Sequence, residues 1–321
     1  MPYSCSIIAY REGRGFGFAE RIYEELRNKG SEKKFELNEV EIKKFRDGEI
    51  KPKIKSNVRR KRCFFIHDSS LDPFEWIAQL LLINETLRNS SAEEIIDVFP
   101  YLRFSRQDRK DESRVPISAR AIASLVNSYA DRALTIDVHN PSIQGFYKIF
   151  DNLYSFPLVT DYLKKRHGKL LEDLVIMSPD AGGAKRAEAF AKRINGLGVV
   201  VGYKTRPREG EVSSIELIGD VKRKDVLIVD DILDSGNTLI EAYRAIKRAG
   251  GEKVYVYVTH ALFTCGIGNL VSCFDKIFVG NTVPNVNKYK NKKIEVIDFA
   301  PLFAEAIYRI DRGESLSELF E

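Results

Sequence analysis

The sequence predicts an α/β protein of two domains, each a mainly parallel sheet flanked by helices. Three observations carry this. Short runs rich in β-branched and aromatic residues alternate with helix-period segments along nearly all of the chain, as they do where parallel strands are joined by covering helices. The 321 residues suffice for two domains at about 150 residues each, and the hydrophobic fraction of 44% is that of an ordinary globular chain. Several of the apolar runs end in loops of Gly, Asp, Lys and Arg, and parallel sheets bind ligands beyond the carboxyl ends of their strands.

Taken in order, the expected strands are CFFIHD, EIIDVFPYL, ALTIDVH, LVIMSP, GVVVGYK, VLIVDD, KVYVYVTHA, KIFVG and IEVID. Amphipathic stretches at Phe18–Arg27, Phe74–Arg88, Ile117–Ser128, Lys185–Ile194 and Leu239–Ala249 supply the helices between them. The segment DNLYSFPL, Asp151 to Leu158, reads as the junction. It divides the chain into an N-terminal domain over 1–152 and a C-terminal domain over 153–302, followed by a helix and tail over 303–321. The halves look alike in architecture, without a strict repeat.

A net charge of +5 suits phosphorylated substrates or nucleic acid. The basic residues form no long stripe, and the densest run, RRKR at Arg59 to Arg62, reads as a solvated turn, so no nucleic-acid partner is expected. Apolar runs such as IAQLLLI fall far short of the ~20 residues a membrane span needs. No basic, apolar and small-residue leader opens the chain, which makes the cytoplasm the expected compartment. Cys5, Cys63, Cys265 and Cys273 are scattered and read as buried reduced thiols. His67 and His260 read as structural, and His167 as a surface residue.

Chemistry concentrates in five loops. In VLIVDDILDSGNT, Asp230 and Asp231 stand at the exit of a strand, and Gly236 allows a tight turn into a helix. Ser235, Asn237 and Thr238 offer donors beside the free amides of that helix start, a cradle for phosphate. The two aspartates suit ribose hydroxyls and a magnesium shell; the alternative is an acidic helix cap. In SPDAGGAKR, Gly182 and Gly183 expose amides, Lys185 and Arg186 add positive charge, and Asp180 suits a metal. ALTIDVH ends a strand on His139, a metal ligand or a structural histidine. Tyr101 to Pro116 packs Arg103, Arg106, Arg109, Lys110 and Arg114 among acids, fit to clamp phosphate or stack on a purine. Tyr203 to Ser214 is basic and reads as a flap from which Lys204 and Arg206 close over a reacting phosphate.

In this order the loops resemble the ribose-phosphate pyrophosphokinase (phosphoribosyl pyrophosphate synthetase) family. RQDRKDESRVPISA, DVHNPSIQGFY, SPDAGGAKR, SSIELIGDVKRKDVLIVDD and APLFAEAIYRIDRGES look like family motifs in register, and the likeness runs from FRDGEI to GESLSELF. It implies two phosphoribosyltransferase-like domains and magnesium-dependent transfer of diphosphate from ATP to ribose 5-phosphate. Asp230, Asp231, Asp234, Ser235, Gly236, Asn237 and Thr238 would hold ribose 5-phosphate, and Asp180, Ala181, Gly182 and Gly183 would form the diphosphate loop. His139 and Asp180 would bind magnesium. Phe45, Asp47 and Glu49 of one subunit, with Arg106, Gln107 and Asp108 of its neighbour, would form the ATP site in dimers within a hexamer. Lys204 and Arg206 would be catalytic. Arg59, Arg114, Ser315, Ser317 and Phe320 would be regulatory, and the tail would pack back on the N-terminal domain.

The sugar-phosphate loop reads DSGNT where the family usually has Asp-Thr-x-Gly-Thr, so Asn237 replaces a glycine. AYREGRGFGFAERI and HDSSLDPFEWIAQLLL also depart, and Asn57 stands where a serine associated with regulation is often found. The alternative reading is a catalytically silent regulatory subunit. A phosphoribosyltransferase that consumes phosphoribosyl pyrophosphate fits only the DDILDSGNT loop.

Overall fold

The computed structural model describes residues 5–31, 34–194, 196–205 and 214–320. They form two compact units, one comprising Met1–Tyr154, Thr282–Pro284 and Phe299–Glu321, the other Ser155–Asn281 and Asn285–Asp298. The first contains β1 (Cys5–Tyr10), α1 (Phe16–Leu26), β2 (Phe35–Lys44), β3 (Ile50–Ile54), β4 (Arg62–Ile66), α2 (Pro73–Asn89), β5 (Glu94–Phe99), α3 (Ser118–Tyr129), β6 (Arg132–Ile136) and β7 (Phe150–Leu153). The second contains α4 (Phe156–His167), β8 (Leu174–Ser178), α5 (Ala184–Ile194), β9 (Val199–Thr205), β10 (Ser214–Ile218), β11 (Asp225–Leu233), α6 (Asn237–Arg248), β12 (Val254–Ala261), α7 (Gly268–Cys273), β13 (Lys276–Gly280) and β14 (Ile294–Ile297). The last helix, α8 (Ala300–Arg312), belongs to the first unit.

Each unit is built on one seven-stranded sheet, in the order β3-β2-β1-β4-β5-β6-β7 and β10-β9-β8-β11-β12-β13-β14. Adding seven to each strand number of the first order gives the second, so one topology occurs twice. Among the named strands of the described residues, the antiparallel pairs are the edge hairpins, β2 with β3 and β9 with β10. The inner strands are covered on both faces and therefore apolar almost without interruption; all eight residues of β12, VYVYVTHA, are buried.

Five strands fall outside those expected: β1, β2, β3, β7 and β10. Pro52 and the lysines of β3 disguise it. At the outermost position a proline costs little, because its missing N–H faces no ladder partner, and Pro52 lies opposite Ile42 there.

The cores account for the structural histidines. His67 Nε2 lies 2.9 Å from Asp97 Oδ1, while Asn84 donates to the other carboxylate oxygen at 2.8 Å. Phe65, Phe99 and Trp76 surround the ring. His260 is buried as well. Two sequence expectations need correction. His167 is half-buried rather than a surface residue: its Nε2 lies 2.9 Å from Glu295 Oε1 and its ring meets Phe278 edge-on. Cys265 is exposed, because the chain has left β12 four residues earlier, whereas Cys5 and Cys63 are buried; all four thiols are free. The RRKR run divides. Arg59 and Arg60 are exposed, while Lys61 pairs with Glu36 and Arg62 with Glu94 and Asp311.

Glu295 also accepts from Tyr162 and pairs with Lys276. Burial opposes its ionisation, but the bonds from His167, Lys276 and Tyr162 outweigh that and hold the carboxyl at about 2, down from 4.5. A carboxyl whose pKa falls on folding stabilises the fold above its unfolded value, and that stability is lost as pH falls toward the folded one. The wild-type melting temperature is therefore expected to fall more steeply below pH 4.5 than that of Glu295→Gln. Parallel acid limbs for the two proteins would remove Glu295 from this role.

Candidate active site

In the second unit the acidic pair lies on the central strand β11, beside β8. The strand does not end at the pair, as the sequence suggests. It runs on to Leu233, because Ile232 and Leu233 continue the ladder opposite His260 and Ala261. Asp230 and Asp231 are thus fixed by sheet hydrogen bonding rather than carried on a loop. Asp231 is only 4% exposed, and its N–H donates to Asp230 Oδ1 at 2.9 Å. Burial first, and the Asp231 charge second, push the Asp230 carboxyl well above the usual carboxylate range, against the lowering effect of Arg186. Arg186 Nη1 stands 3.2 Å from Asp231 Oδ1 and 3.8 Å from Asp230 Oδ1.

The loop that follows turns on Gly236, whose φ of +86° caps the start of α6. Asn237 N–H donates to Ser235 Oγ at 3.4 Å. Asp234 is tied down by Thr264, whose hydroxyl donates to its carboxylate at 2.7 Å and whose N–H donates to its carbonyl at 3.1 Å. Sequence reasoning missed Thr264, which lies 30 residues away and carries no motif. Asn237 also lines a groove of about 310 Å³ with Glu241, Arg244, Asn269 and Ser272. A Cβ at Gly236 would stand 2.7 Å from Leu270 Cδ2, and a positive φ costs a non-glycine residue roughly 1–2 kcal/mol. Gly236→Ala is expected to destabilise the second unit by about 2 kcal/mol and to open the turn, as denaturant unfolding would show. An unchanged midpoint would mean that the turn relaxes freely.

The glycine loop after β8 closes on itself. Asp180 Oδ1 accepts from Gly183 N–H at 3.1 Å, and Ser178 hydroxyl donates to Asp180 carbonyl at 2.7 Å. A Cβ on Gly183 would come within 2.5 Å of Ser178 Oγ, so only glycine permits this approach. Lys204 lies on β9, in register with Ile215 of β10, and Arg206 lies outside the described residues. Gly202 brings β9 against the glycine loop, where a Cβ would stand 2.6 Å from Pro179 carbonyl oxygen.

In the first unit the edge hairpin carries Phe45, Asp47 and Glu49. Phe45 N–H donates to Glu49 carbonyl at 2.8 Å, and Asp47 accepts from Glu49 N–H at 3.1 Å. Phe45 remains 42% exposed, and Phe74 across the groove 81%. That groove, of about 550 Å³, has Gly48, Glu49 and Ile50 on one wall and Phe74, Ala78 and Leu82 on the other. Gln107 accepts from Ser118 hydroxyl at 2.8 Å, Asp108 accepts from Asn140, and Arg106 is exposed. The Asp108–Asn140 bond places residues 106–108 beside the loop of His139. His139 does not end a strand: β6 stops at Ile136, where Asp137 takes a φ of +40° and turns the chain away. Arg59 N–H donates to Asn57, and Arg114 is exposed with a positive φ. Ser315 carbonyl accepts from Arg309, Ser317 N–H donates to Ser315 hydroxyl, and Phe320 meets Tyr154 edge-on.

By topology, the β1–α1 and β4–α2 loops of the first unit correspond to the glycine loop and the acidic loop of the second. Asp68 occupies that place in the first unit: a Cβ on Gly13 would stand 2.6 Å from its Oδ2, and one on Gly15 3.0 Å from its Cα. The glycines there make room for a side chain of the protein itself. Among the described residues no cluster of three or more His, Cys, Asp or Glu could hold a metal ion, and no helix is long and apolar enough to cross a membrane.

Both units are phosphoribosyltransferase-like α/β domains. The sequence matches the N-terminal domain of ribose phosphate pyrophosphokinase over residues 12–129 and the phosphoribosyl synthetase-associated domain over residues 205–321. It is 39% identical to a ribose-phosphate pyrophosphokinase of Hyphomonas neptunium, over 89% of this chain and 92% of that one. It is 38% identical to one of Campylobacter jejuni, over 88% and 91%. The crystal structure of phosphoribosylpyrophosphate synthetase from Mycobacterium smegmatis superposes with a TM-score of 0.86 at 27% identity, covering 97% of this chain and all of that one. The chain belongs to the ribose-phosphate pyrophosphokinase family.

Proposed function

We propose that the chain is an active, magnesium-dependent ribose-phosphate diphosphokinase that converts ATP and ribose 5-phosphate to phosphoribosyl pyrophosphate and AMP. The observation that carries this reading is the acidic pair on β11, Asp231 buried and Asp230 half-buried, beside the glycine-led start of α6. Carboxylates so placed accept the ribose 2- and 3-hydroxyls, and the amides and side chains of Ser235 to Thr238 take the 5-phosphate. The anomeric oxygen forms a bond to the β-phosphorus of ATP as the bond from that phosphorus to the α–β bridging oxygen breaks, and AMP leaves. The hydroxyl proton is released to water.

The donor set fits magnesium carried by substrate. Magnesium binds through one or two carboxylates together with substrate phosphates. His139 and Asp180 are the protein ligands in this reading, and the ion supplies charge neutralisation on the phosphates when bound. Ala181, Gly182 and Gly183 receive the diphosphate. Phe45, Asp47 and Glu49 of one subunit, with Arg106, Gln107 and Asp108 of its neighbour, hold the nucleotide. Lys204 and Arg206 stabilise charge on the transferring group. Arg59, Arg114, Ser315, Ser317 and Phe320 form the regulatory set, and titrating phosphate and ADP into the assay tests it.

The deciding experiment measures AMP from ATP and ribose 5-phosphate by the purified chain, with and without magnesium. Metal-dependent AMP formation is expected. None at high enzyme, with activity appearing only beside a partner chain, would instead establish the silent regulatory subunit.

A further inference from the structure

We propose that Arg186 is a positioning residue for ribose 5-phosphate: it holds the Asp230–Asp231 pair in its binding geometry and ties the glycine loop to the acidic strand. The inference rests on the reading of that pair as the sugar site. By sequence Arg186 belongs to the glycine loop and reads as a further charge for diphosphate. Its guanidinium is directed elsewhere, to Asp231 at 3.2 Å and Asp230 at 3.8 Å. The same Nη1 lies 3.6 Å from the point where a Cβ of Gly183 would be. One side chain thus spans from the turn of the glycine loop to the carboxylates of β11.

Two independent features make this more than a fortuitous ion pair. Arg186 is the third residue of α5, and Lys185 precedes it, while the first turn holds no acid. The helix dipole favours negative charge at that end, so local physics opposes the arginine. A residue that violates a local rule is explained by a tertiary partner, and here the partner is two adjacent carboxylates that otherwise repel one another at close range. The planar guanidinium can also face both acids at once, which a lysine ammonium does less well. Asp231, at 4% exposure, has little water to take the place of that partner.

The test is steady-state kinetics of AMP formation for Arg186→Gln, Arg186→Lys, Asp231→Asn and the Arg186→Gln/Asp231→Asn pair, with the melting-temperature rise caused by ribose 5-phosphate alone as a second readout. Arg186→Gln is expected to raise KM for ribose 5-phosphate about tenfold, with kcat and the KM for ATP within about threefold of wild type. Arg186→Lys should recover part of the loss. The double variant should be no worse than Asp231→Asn, because Arg186 acts through that carboxylate. Wild-type kinetics in Arg186→Gln, a loss confined to kcat or ATP, or full additivity with Asp231→Asn would overturn the proposal. If the wild-type chain forms no AMP, the proposed function fails separately. The ligand-induced melting shift then judges Arg186 by itself: a smaller shift in Arg186→Gln than in wild type at the same ribose 5-phosphate concentration supports it, and an unchanged shift, or none in the wild type, overturns it.

Discussion

Replacing Lys204 by alanine is expected to lower kcat by about 10²–10³, while the KM values for ATP and ribose 5-phosphate stay within about threefold. A cation that meets only the developing charge on the transferring group adds to transition-state binding and not to substrate binding, so its loss appears in kcat. The backbone supports the assignment. Gly202, two residues before Lys204, approaches the carbonyl of Pro179 so closely that no side chain fits between them. The strand carrying Lys204 therefore runs along the start of the glycine loop proposed to hold the diphosphate. Arg206→Ala is expected to behave in the same way. Steady-state AMP release under saturating substrates checks both, and a rise in KM with kcat intact would show that these cations bind ground-state substrate instead.

The second large effect is on stability. Asp311, on α8, accepts from Cys5 Sγ at 3.1 Å and from Arg62 Nη1 at 3.2 Å, and it pairs with Lys34. One carboxylate, 3% exposed, thus joins β1, β4 and the residue before β2 to the last helix of the first unit. Phe303 of α8 packs edge-on against Phe18 of α1 nearby in the same layer, at 5.5 Å. Burial, then the hydrogen bond to Asp311, raises the Cys5 pKa and keeps the thiol protonated as the donor. Removing one partner of a buried ion pair costs about 3–5 kcal/mol. Here Arg62 and Lys34 are 24% and 34% exposed, and solvent screening reduces the figure. Asp311→Ala is expected to lose about 2–3 kcal/mol, read from the midpoint of denaturant unfolding, with the sugar site of the second unit intact. A loss below about 0.5 kcal/mol would place Asp311 among ordinary surface pairs.

Most covered strands were legible because they are apolar on both faces; β1, CSIIAY, is covered too but was not among the strands expected. VLIV, VYVYV and KIFVG announce themselves without knowledge of their neighbours. The edge strands were not, because an edge strand is half solvated and manages its free hydrogen-bonding groups with lysine and proline, which resemble loop chemistry in one dimension. IKPKI, outermost in its sheet, is of this kind, whereas FELNEVEIKK is paired on both sides and is disguised by the charged residues of its solvated half. At the candidate site the residue types were readable, but their setting was not. Two aspartates in sequence do not show whether a strand stops before them, and His139 gives no sign that Asp137 has already turned the chain.

The sequence by itself determined the fold class and the family, because buried-strand composition and ordered motifs are local properties that survive without coordinates. Only the tertiary structure decided what the charges do. It directed Arg186 to Asp231, joined Thr264 to Asp234, made His167 a partner of Glu295, and filled the glycine loop of the first unit with Asp68. A charge acts through distance and burial, and both are fixed by residues far apart along the chain.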